Sequence, residues 1–178
     1  MASTTTRLMT FAEFEQLPRT PRGFPYELRL GELVELAETT IEHQRKQRHI
    51  RRLLEQAAGE DWVVATEVGF RGLPEVEYRV ADVALLSSAR WENAVKQLFG
   101  VPELVIEVLS PSNTTAEIRD KRKLCLENGA REFWVVDMDH REVEVSTPDG
   151  HAVTYKSGQS IPLFFAPGAS LAVDAVFS

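Results

Sequence analysis

Two acidic residues interrupt segments of this 178-residue sequence that are otherwise apolar: Asp82 lies within residues 80–86, and Glu107 lies within residues 104–109. A lone carboxylate in a buried strand is costly unless it is paired, hydrogen-bonded or bound to a metal. Two such residues on neighbouring strands indicate a shared partner. A hard divalent cation such as Mg²⁺ is a natural one, because it takes oxygen ligands and uses one or two carboxylates together with substrate phosphate. The alternative is that each acid lies at a strand edge, in contact with solvent or a basic side chain.

Lys121 is the third candidate for chemistry. In a helix it lies on the flank of the apolar stripe that should pack on a sheet, so its ammonium could reach a site on the sheet surface. There it would stabilise charge on a phosphoryl oxygen or position the attacking water. The alternative is an i, i+4 ion pair with Glu117, worth a few tenths of a kcal/mol. The residues alone leave both interpretations open.

The elements that must position these side chains follow from periodicity. The pattern predicts a short helix beginning at Thr10, a hairpin over 26–36, a helix over 41–58, strands over 62–70, 76–86 and 103–109, a helix over 115–128 and a strand over 132–137. Extended segments follow at 142–146, 152–155 and 171–177. The central order is helix, three strands, helix, strand. This predicts an α/β fold of mixed α+β character, with a mixed sheet, helices packed on it and flanking β-hairpins.

Composition excludes several classes of protein. The length and a hydrophobic content of 43% indicate one domain, residues 1–178, with a full core. The single cysteine, Cys125, cannot form an internal disulfide, so we expect a reducing compartment, the cytoplasm. No signal-like N-terminus and no long apolar window is present, so we expect no membrane partner. Gly-rich phosphate loops, nucleophile elbows and zinc-binding helix motifs are also absent from the sequence.

The net charge of −7 argues against a surface that attracts nucleic acid everywhere, but residues 43–52 hold five cationic side chains and no acidic one. We predict that this helix contacts the DNA backbone through Arg45, Lys46, Arg48 and Arg52. The alternatives are a solvated amphipathic helix and a surface that binds an acidic partner.

Several motifs together resemble the Uma-two family, whose members are described as restriction endonucleases. They are Tyr26-Glu27-Leu28 with Gly31-Glu32-Leu33, His43-Gln44, residues 79–83, residues 102–112, Lys121 and residues 129–137. The resemblance spans roughly residues 8–176. It implies the PD-(D/E)XK nuclease fold and metal-dependent hydrolysis of DNA, with Asp82 and Glu107 as ligands of Mg²⁺ or Mn²⁺ and Lys121 as the third catalytic residue. The wider superfamily places its lysine two residues after the second acid, where this chain has Leu109.

The resemblance also implies weaker candidates. Glu27 and Glu32 match the family's paired glutamates and could add a carboxylate to the metal site, although hairpin acids are more often solvated. His43 could be a group near the metal or the cap of its helix, and its place at a helix start favours the cap.

The sequence departs from the family at three positions: Ala81 replaces a usual proline, Glu117 a usual aspartate and Cys125 a usual tyrosine. A homodimer would be needed to cut both strands of DNA in one encounter. The alternative function is a non-catalytic interaction or regulatory module that keeps the nuclease fold, which the acidic balance and Cys125 favour.

Overall fold

The computed structural model of the protein describes residues 7–20, 23–111 and 113–178, so Ser112 of the family motif lies outside the described residues. The helices are α1 (Phe11–Phe14), α2 (Ile41–Ala58), α3 (Ser88–Asn93), α4 (Thr115–Glu127) and α5 (Val173–Val176). The strands are β1 (Tyr26–Arg29), β2 (Glu32–Glu35), β3 (Trp62–Arg71), β4 (Arg79–Ser87), β5 (Leu98–Phe99), β6 (Leu104–Val108), β7 (Glu132–Asp137), β8 (Glu142–Ser146), β9 (Ala152–Tyr155), β10 (Ser160–Pro162) and β11 (Ser170–Ala172).

Seven strands form the central sheet in the order β5-β3-β4-β6-β7-β8-β9. Strands β3, β4 and β6 pair antiparallel in turn, whereas β6 and β7 are parallel and are joined through α4. Every residue of β6 is buried, which explains why this strand reads as an apolar run broken only by Glu107. The predicted mixed sheet and fold class are confirmed.

The two long helices cover opposite faces of the sheet. Ile50 and Leu54 of α2 pack in one core cluster with Leu104, Ile106 and Trp134. Ile118 and Cys125 of α4 belong to a second cluster, with Val105 and Phe133. Because Ile106 and Val105 alternate along β6, the strand contributes to both cores and fixes both helices against it.

Helix ends follow the expected chemistry. Thr114 caps α4 and forms a capping box with Glu117, which sets the start of the helix so that Lys121 lies in its second turn. Thr40 caps α2, and the helix ends at Gly59, whose φ of 64° is readily adopted by glycine. The capping box of Thr10 and Glu13 on α1 is likewise present.

A third apolar cluster holds the β1–β2 hairpin against the start of β4. Leu28 and Tyr78 exchange two backbone hydrogen bonds of 2.9 Å, and both side chains pack with Phe11, Phe14 and Phe24. Tyr78 is accommodated because Gly69 has no Cβ: a Cβ built there would lie 2.2 Å from the tyrosine hydroxyl oxygen. The hairpin is thereby fixed beside the strand that carries Asp82.

Some sequence predictions were wrong or incomplete. Residues 171–177 are not extended throughout, because β11 ends at Ala172 and the short helix α5 buries Val173 and Val176 in the α2 core. The elements α3 and β5 were not predicted, since six and two residues are too short to show a period. The order helix, three strands, helix, strand is confirmed by α2, β3, β4, β6, α4 and β7. Within the described residues, no helix has the length and apolar character to cross a membrane.

Candidate active site

Three acidic residues occupy one row across adjacent strands. Strands β3 and β4 pair Thr66 with Val83 and Val68 with Ala81, so the register places Glu67 opposite Asp82. Strands β4 and β6 pair Val83 with Ile106, and the next position in that register places Asp82 opposite Glu107. The sheet therefore brings the two predicted acids together and adds a third that sequence reasoning missed.

Asp82 is held by groups from α2 and β6. Its Oδ1 accepts a hydrogen bond from Gln47 Nε2 at 2.9 Å and lies 3.1 Å from His43 Nε2, and its Oδ2 accepts from the backbone N–H of Val108 at 2.8 Å. Burial acts to raise the pKa of Asp82, but the His43 contact, Lys121 and the Val108 hydrogen bond together lower it below its usual value. Asp82 is thus a charged and oriented carboxylate.

His43 therefore faces the site and does not cap its helix. The cap is Thr40, whose hydroxyl accepts from the His43 backbone N–H at 3.1 Å. The hydrogen bond to Asp82 raises the pKa of the imidazole, against the opposing effect of burial. Gln47, one turn further along α2, is buried and points at the same carboxylate.

Glu107 and Lys121 form a buried ion pair, with Lys121 Nζ 2.7 Å from Glu107 Oε2. Burial, reinforced by the charge of Asp82, raises the pKa of Glu107 to about 7, although Lys121 acts in the opposite direction. Lys121 is buried too, but Glu107, Glu27 and Asp82 raise its pKa above the ordinary value and keep it an ammonium ion. The other Glu107 oxygen, Oε1, is buried and has no hydrogen-bond partner among the described residues.

Lys121 does not pair with Glu117, the alternative left open by the sequence. Its ammonium donates to the Val80 carbonyl at 2.5 Å and lies 3.6 Å from Glu27 Oε1. Glu117 instead accepts from Arg29 Nη1 at 2.6 Å, which lowers the pKa of Glu117 to about 2. The interpretation in which Lys121 reaches the sheet surface is therefore the one that the geometry supports.

Glu27 is 2% exposed, and both of its carboxylate oxygens are engaged. Oε1 accepts from the Val80 backbone N–H at 2.9 Å and faces Lys121, while Oε2 accepts from Arg29 Nε at 2.9 Å and lies 3.5 Å from Arg79 Nη1. Burial alone would raise the pKa of Glu27, but these cations and the Val80 hydrogen bond lower it. Glu27 is therefore placed as a partner of Lys121. Glu32, by contrast, is exposed on β2 and is not among the residues that line the cleft described next.

The acids open into a cleft of about 780 Å³ between the hairpin, α2 and α4. Its charged lining contains more acidic than basic side chains: Glu27, Glu35, Glu38, Glu67, Asp82, Glu107 and Glu117 against Arg29, Arg79 and Lys121, with His43 beside them. Such a cleft attracts cations and repels a polyanion unless cations are bound first.

The basic residues of α2 lie elsewhere. Arg45, Arg48 and Arg52 are exposed, and the helical period places them on the side of α2 opposite His43 and Gln47. Lys46 is partly buried. In the part of the chain that the structure describes, none of these four cations forms an ion pair, and none lines the cleft.

Glu67 has an unusual backbone. Its φ is 54°, a left-handed conformation that costs a residue with a Cβ about 1–2 kcal/mol. The side chain lines the cleft and is one of the charges that raise the pKa of His43. The only sequence signal was a charge within the apolar run of β3, which also fits a residue facing solvent.

Among the residues that the structure describes, no three His, Cys, Asp or Glu side chains are already arranged to bind a metal ion. The donor set nevertheless fits a hard cation, because Asp82 and Glu107 supply carboxylate oxygens and Glu107 Oε1 is a buried acceptor without a donor. The other oxygens are engaged by His43, Gln47, Val108 and Lys121.

Comparisons with known proteins identify a family and a related structure. The model of the Uma2 family, described as "Putative restriction endonuclease", matches residues 11–174. A crystal structure of a putative nuclease belonging to DUF820 from Anabaena variabilis ATCC 29413 superposes with a TM-score of 0.84, at 19% identity, covering 95% of this chain and 97% of that one. No curated protein matches the chain significantly. At this identity the structural likeness establishes the fold.

Proposed function

We propose, because the chain belongs to the Uma2 family, that it is an endonuclease that hydrolyses phosphodiester bonds of DNA with a divalent cation, Mg²⁺ or Mn²⁺. Asp82 and Glu107 would hold the cation. The observation that carries the proposal is Glu107 Oε1, a buried acceptor without a donor, on a strand position opposite Asp82 and beside Lys121. A bound divalent ion would supply Lewis acidity and lower the pKa of a water molecule.

The protein's own groups have separate tasks. His43 and Gln47 hold Asp82 in one orientation from α2, and Val108 does so from the backbone. Lys121 stays protonated, so it acts as a hydrogen-bond donor and a positive charge and not as a base. The Val80 carbonyl and Glu107 Oε2 each accept one N–H of the Lys121 ammonium, so the third N–H can be directed to an oxygen of the phosphoryl group, where negative charge develops.

The test uses supercoiled plasmid and oligonucleotide DNA with Mn²⁺ or Mg²⁺. Wild type, Glu107→Gln and Lys121→Met are compared with Lys123→Met, which changes a lysine of the same helix whose side chain is 72% exposed. We expect losses on the order of 100-fold for the first two variants and no change for the third. Calorimetry should detect Mn²⁺ binding to wild type and weaker binding to Glu107→Gln. Absence of both cleavage and metal binding in wild type would refute the proposal.

One observation favours a second candidate, a non-catalytic interaction module. The Lys121 ammonium already compensates Glu107 at 2.7 Å, as a cation would, so the buried acid has a partner without a metal. If this is the function, wild type binds DNA or another ligand with an affinity that does not depend on Mn²⁺, and no nicked or linear plasmid accumulates.

We further propose that a single restriction endonuclease-like domain, residues 1–178, acts in the cytoplasm as a homodimer, because two sites are needed to cut both DNA strands in one encounter. The exposed residues Arg45, Arg48 and Arg52, with Lys46, would contact phosphates of the DNA backbone from the side of α2 that faces away from the cleft. Light scattering of the purified chain, whose mass is 20.0 kDa, distinguishes a dimer from a monomer.

A further inference from the structure

A second cleft, of about 460 Å³, lies at the β5 edge of the central sheet, where the end of β3, the helix α1 and residues 93–99 meet. Its volume falls within the range typical of sites for small ligands. In the part of the chain that the structure describes, it shares no lining residue with the acidic cleft that contains Asp82 and Glu107. Its side chains are therefore available for a separate role.

Arg71, the last residue of β3, has no polar partner in this second cleft. The strand register pairs it with Phe99 of β5, and its guanidinium carbon lies 3.7 Å from the centroid of the Phe11 ring and 5.1 Å from that of Phe99. Among the described residues Arg71 forms no hydrogen bond or ion pair, and its Nε is buried without an acceptor. An unpaired buried donor is costly, and the planar fork of a guanidinium matches the oxygens of a phosphate. The two rings hold this fork in place without satisfying it.

Two neighbouring side chains add donors to the same cleft. Gln97 forms no side-chain hydrogen bond among the described residues, and its Oε1 is buried and unpartnered. Lys96 Nζ lies 3.3 Å from Glu15 Oε1, a contact that engages one of the three N–H groups of the ammonium. The acids of the lining are Glu15 and Glu75 and its bases are Arg71 and Lys96, so the charges balance. Unlike the acidic cleft, this one has no net charge that repels an anion.

Phe99 gives the second cleft a flat apolar surface. Its side chain is 68% exposed, although it is a large aromatic residue on a strand. An exposed aromatic ring next to a basic side chain is the combination on which the bases of single-stranded nucleic acids stack. The cleft thus presents a surface for a planar ring beside a group of donors for an anion.

We propose that this cleft binds one unpaired nucleotide, whose phosphate accepts hydrogen bonds from Arg71, Gln97 and Lys96 and whose base stacks on Phe99. The inference goes beyond the proposed function and does not depend on it, because no residue of the proposed metal site contributes. A base attached to a phosphate comes from two sources, a free nucleotide or an unpaired nucleotide of single-stranded DNA. The choice of a nucleotide over a bare anion rests on the exposed ring next to the guanidinium.

The experiment measures dAMP binding to the purified full chain by calorimetry in EDTA, so that no divalent cation joins the phosphate to the acidic cleft. Inorganic phosphate and deoxyadenosine are titrated in parallel. Arg71→Met keeps the length of the side chain and removes the fork, Arg71→Lys keeps the charge, and Phe99→Leu removes the ring. Val95→Ala is the matched control, because Val95 lines the cleft, is 94% exposed and offers neither a donor nor a ring.

We expect dAMP to bind wild type and Val95→Ala equally, with Kd raised at least about tenfold in Arg71→Met and at least about fivefold in Phe99→Leu. Without ligand, the thermal midpoint of Arg71→Met should be unchanged or higher, because the variant removes a buried donor that has no partner. An unchanged Kd in Arg71→Met, or a Kd for inorganic phosphate as low as that for dAMP, would refute the proposal. If Arg71→Met does not fold, an unchanged Kd in both Arg71→Lys and Phe99→Leu refutes it.

A deoxyadenylate oligonucleotide distinguishes the two sources. Binding tighter than that of dAMP, and lost in Arg71→Met, identifies single-stranded DNA, whereas equal or weaker binding identifies the free nucleotide. Plasmid cleavage with Mn²⁺ separates this inference from the proposed function. A wild-type protein that cleaves plasmid but does not bind dAMP refutes the nucleotide site alone, and one that binds dAMP without cleaving refutes the endonuclease alone.

Discussion

Replacing Glu27 by glutamine should lower kcat, because Glu27 helps to position Lys121, and it should also destabilise the fold. Glu27 is 2% exposed and faces three cations, Lys121, Arg29 and Arg79. Glutamine keeps the size of the side chain and an acceptor for the Val80 N–H, but it removes the negative charge. The buried cations then lack one compensating carboxylate, and among the described residues Lys121 keeps only Glu107 as an acidic neighbour within 4 Å.

The size of the stability effect follows from the burial. Leaving a buried charge without its partner costs about 3–5 kcal/mol. Because Arg29 retains Glu117 and Arg79 retains Glu77, we expect the lower end, about 3 kcal/mol. For a protein of this length that corresponds to a fall of roughly 6–12 °C in Tm. Such a loss alone would not show that Glu27 acts on the reaction.

Glu77→Gln is the control that separates the two effects. Glu77 is 1% exposed, accepts from Arg79 Nε at 2.7 Å and from the Leu30 backbone N–H at 2.9 Å, and has no contact with Lys121. It should lose a similar amount of stability. In cleavage assays well below both Tm values, Glu27→Gln should lower kcat about 100-fold with little change in KM, whereas Glu77→Gln stays near wild type. Mn²⁺ affinity should be retained in both, because the proposed ligands are Asp82 and Glu107. Equal kcat values for the two variants would refute a role for Glu27 in positioning Lys121.

Three further outcomes can be measured. Burial raises the pKa of Glu107 from 4.5 to about 7. The metal-free folded protein therefore binds this proton more tightly than the unfolded chain does, so the free energy of unfolding should fall as the pH rises between these two pKa values. Urea titrations across that range should show this slope in wild type and lose it in Glu107→Gln. Gly69→Ala should destabilise the fold by about 1–3 kcal/mol through its clash with the Tyr78 hydroxyl, with partial recovery on adding Tyr78→Phe, as read from thermal melts. Three arginines of α2 can be changed to alanine together: Arg45, Arg48 and Arg52. The slope of log K for DNA binding against log salt concentration should become shallower by about 0.9 per lost phosphate contact, and kcat at saturation should stay unchanged. An unchanged slope would show that this face does not contact DNA.

The site residues that could be identified from the sequence are charged residues within or beside an apolar pattern. Asp82 and Glu107 were identifiable because β4 and β6 are otherwise apolar, and their proximity follows from two adjacent strands whose register places them opposite each other. Lys121 was identifiable as a residue on the flank of a sheet-facing stripe, and it is indeed buried against the sheet. Local periodicity singled out all three residues, but it left open whether Lys121 pairs with Glu117 or reaches the sheet surface.

The partners of these residues could not be predicted, because they depend on contacts between distant segments. Gln47 reads as an ordinary polar helix residue, and only the packing of α2 beside β4 turns it toward Asp82, 35 positions away. Glu77 and Arg79 precede and begin a strand and appear solvated, yet the β1–β2 hairpin buries both. Glu67 is the extreme case: nothing in its local pattern indicates a left-handed backbone within a strand.

The two sides of α2 carry different side chains, and this difference affects the order in which ligands can bind. Its inner side presents His43 and Gln47 to the acidic row, and its outer side presents arginines to solvent. A polyanion approaching the metal-free protein is attracted by the outer side and repelled by the cleft, where carboxylates outnumber cations. For the proposed reaction, neutralising the acids favours the entry of phosphate, so we expect divalent cations and DNA to bind the cleft cooperatively. In the metal-free chain the two carboxylates repel each other, so each depends on a different partner: Glu107 pairs with Lys121, and Asp82 is hydrogen-bonded to His43.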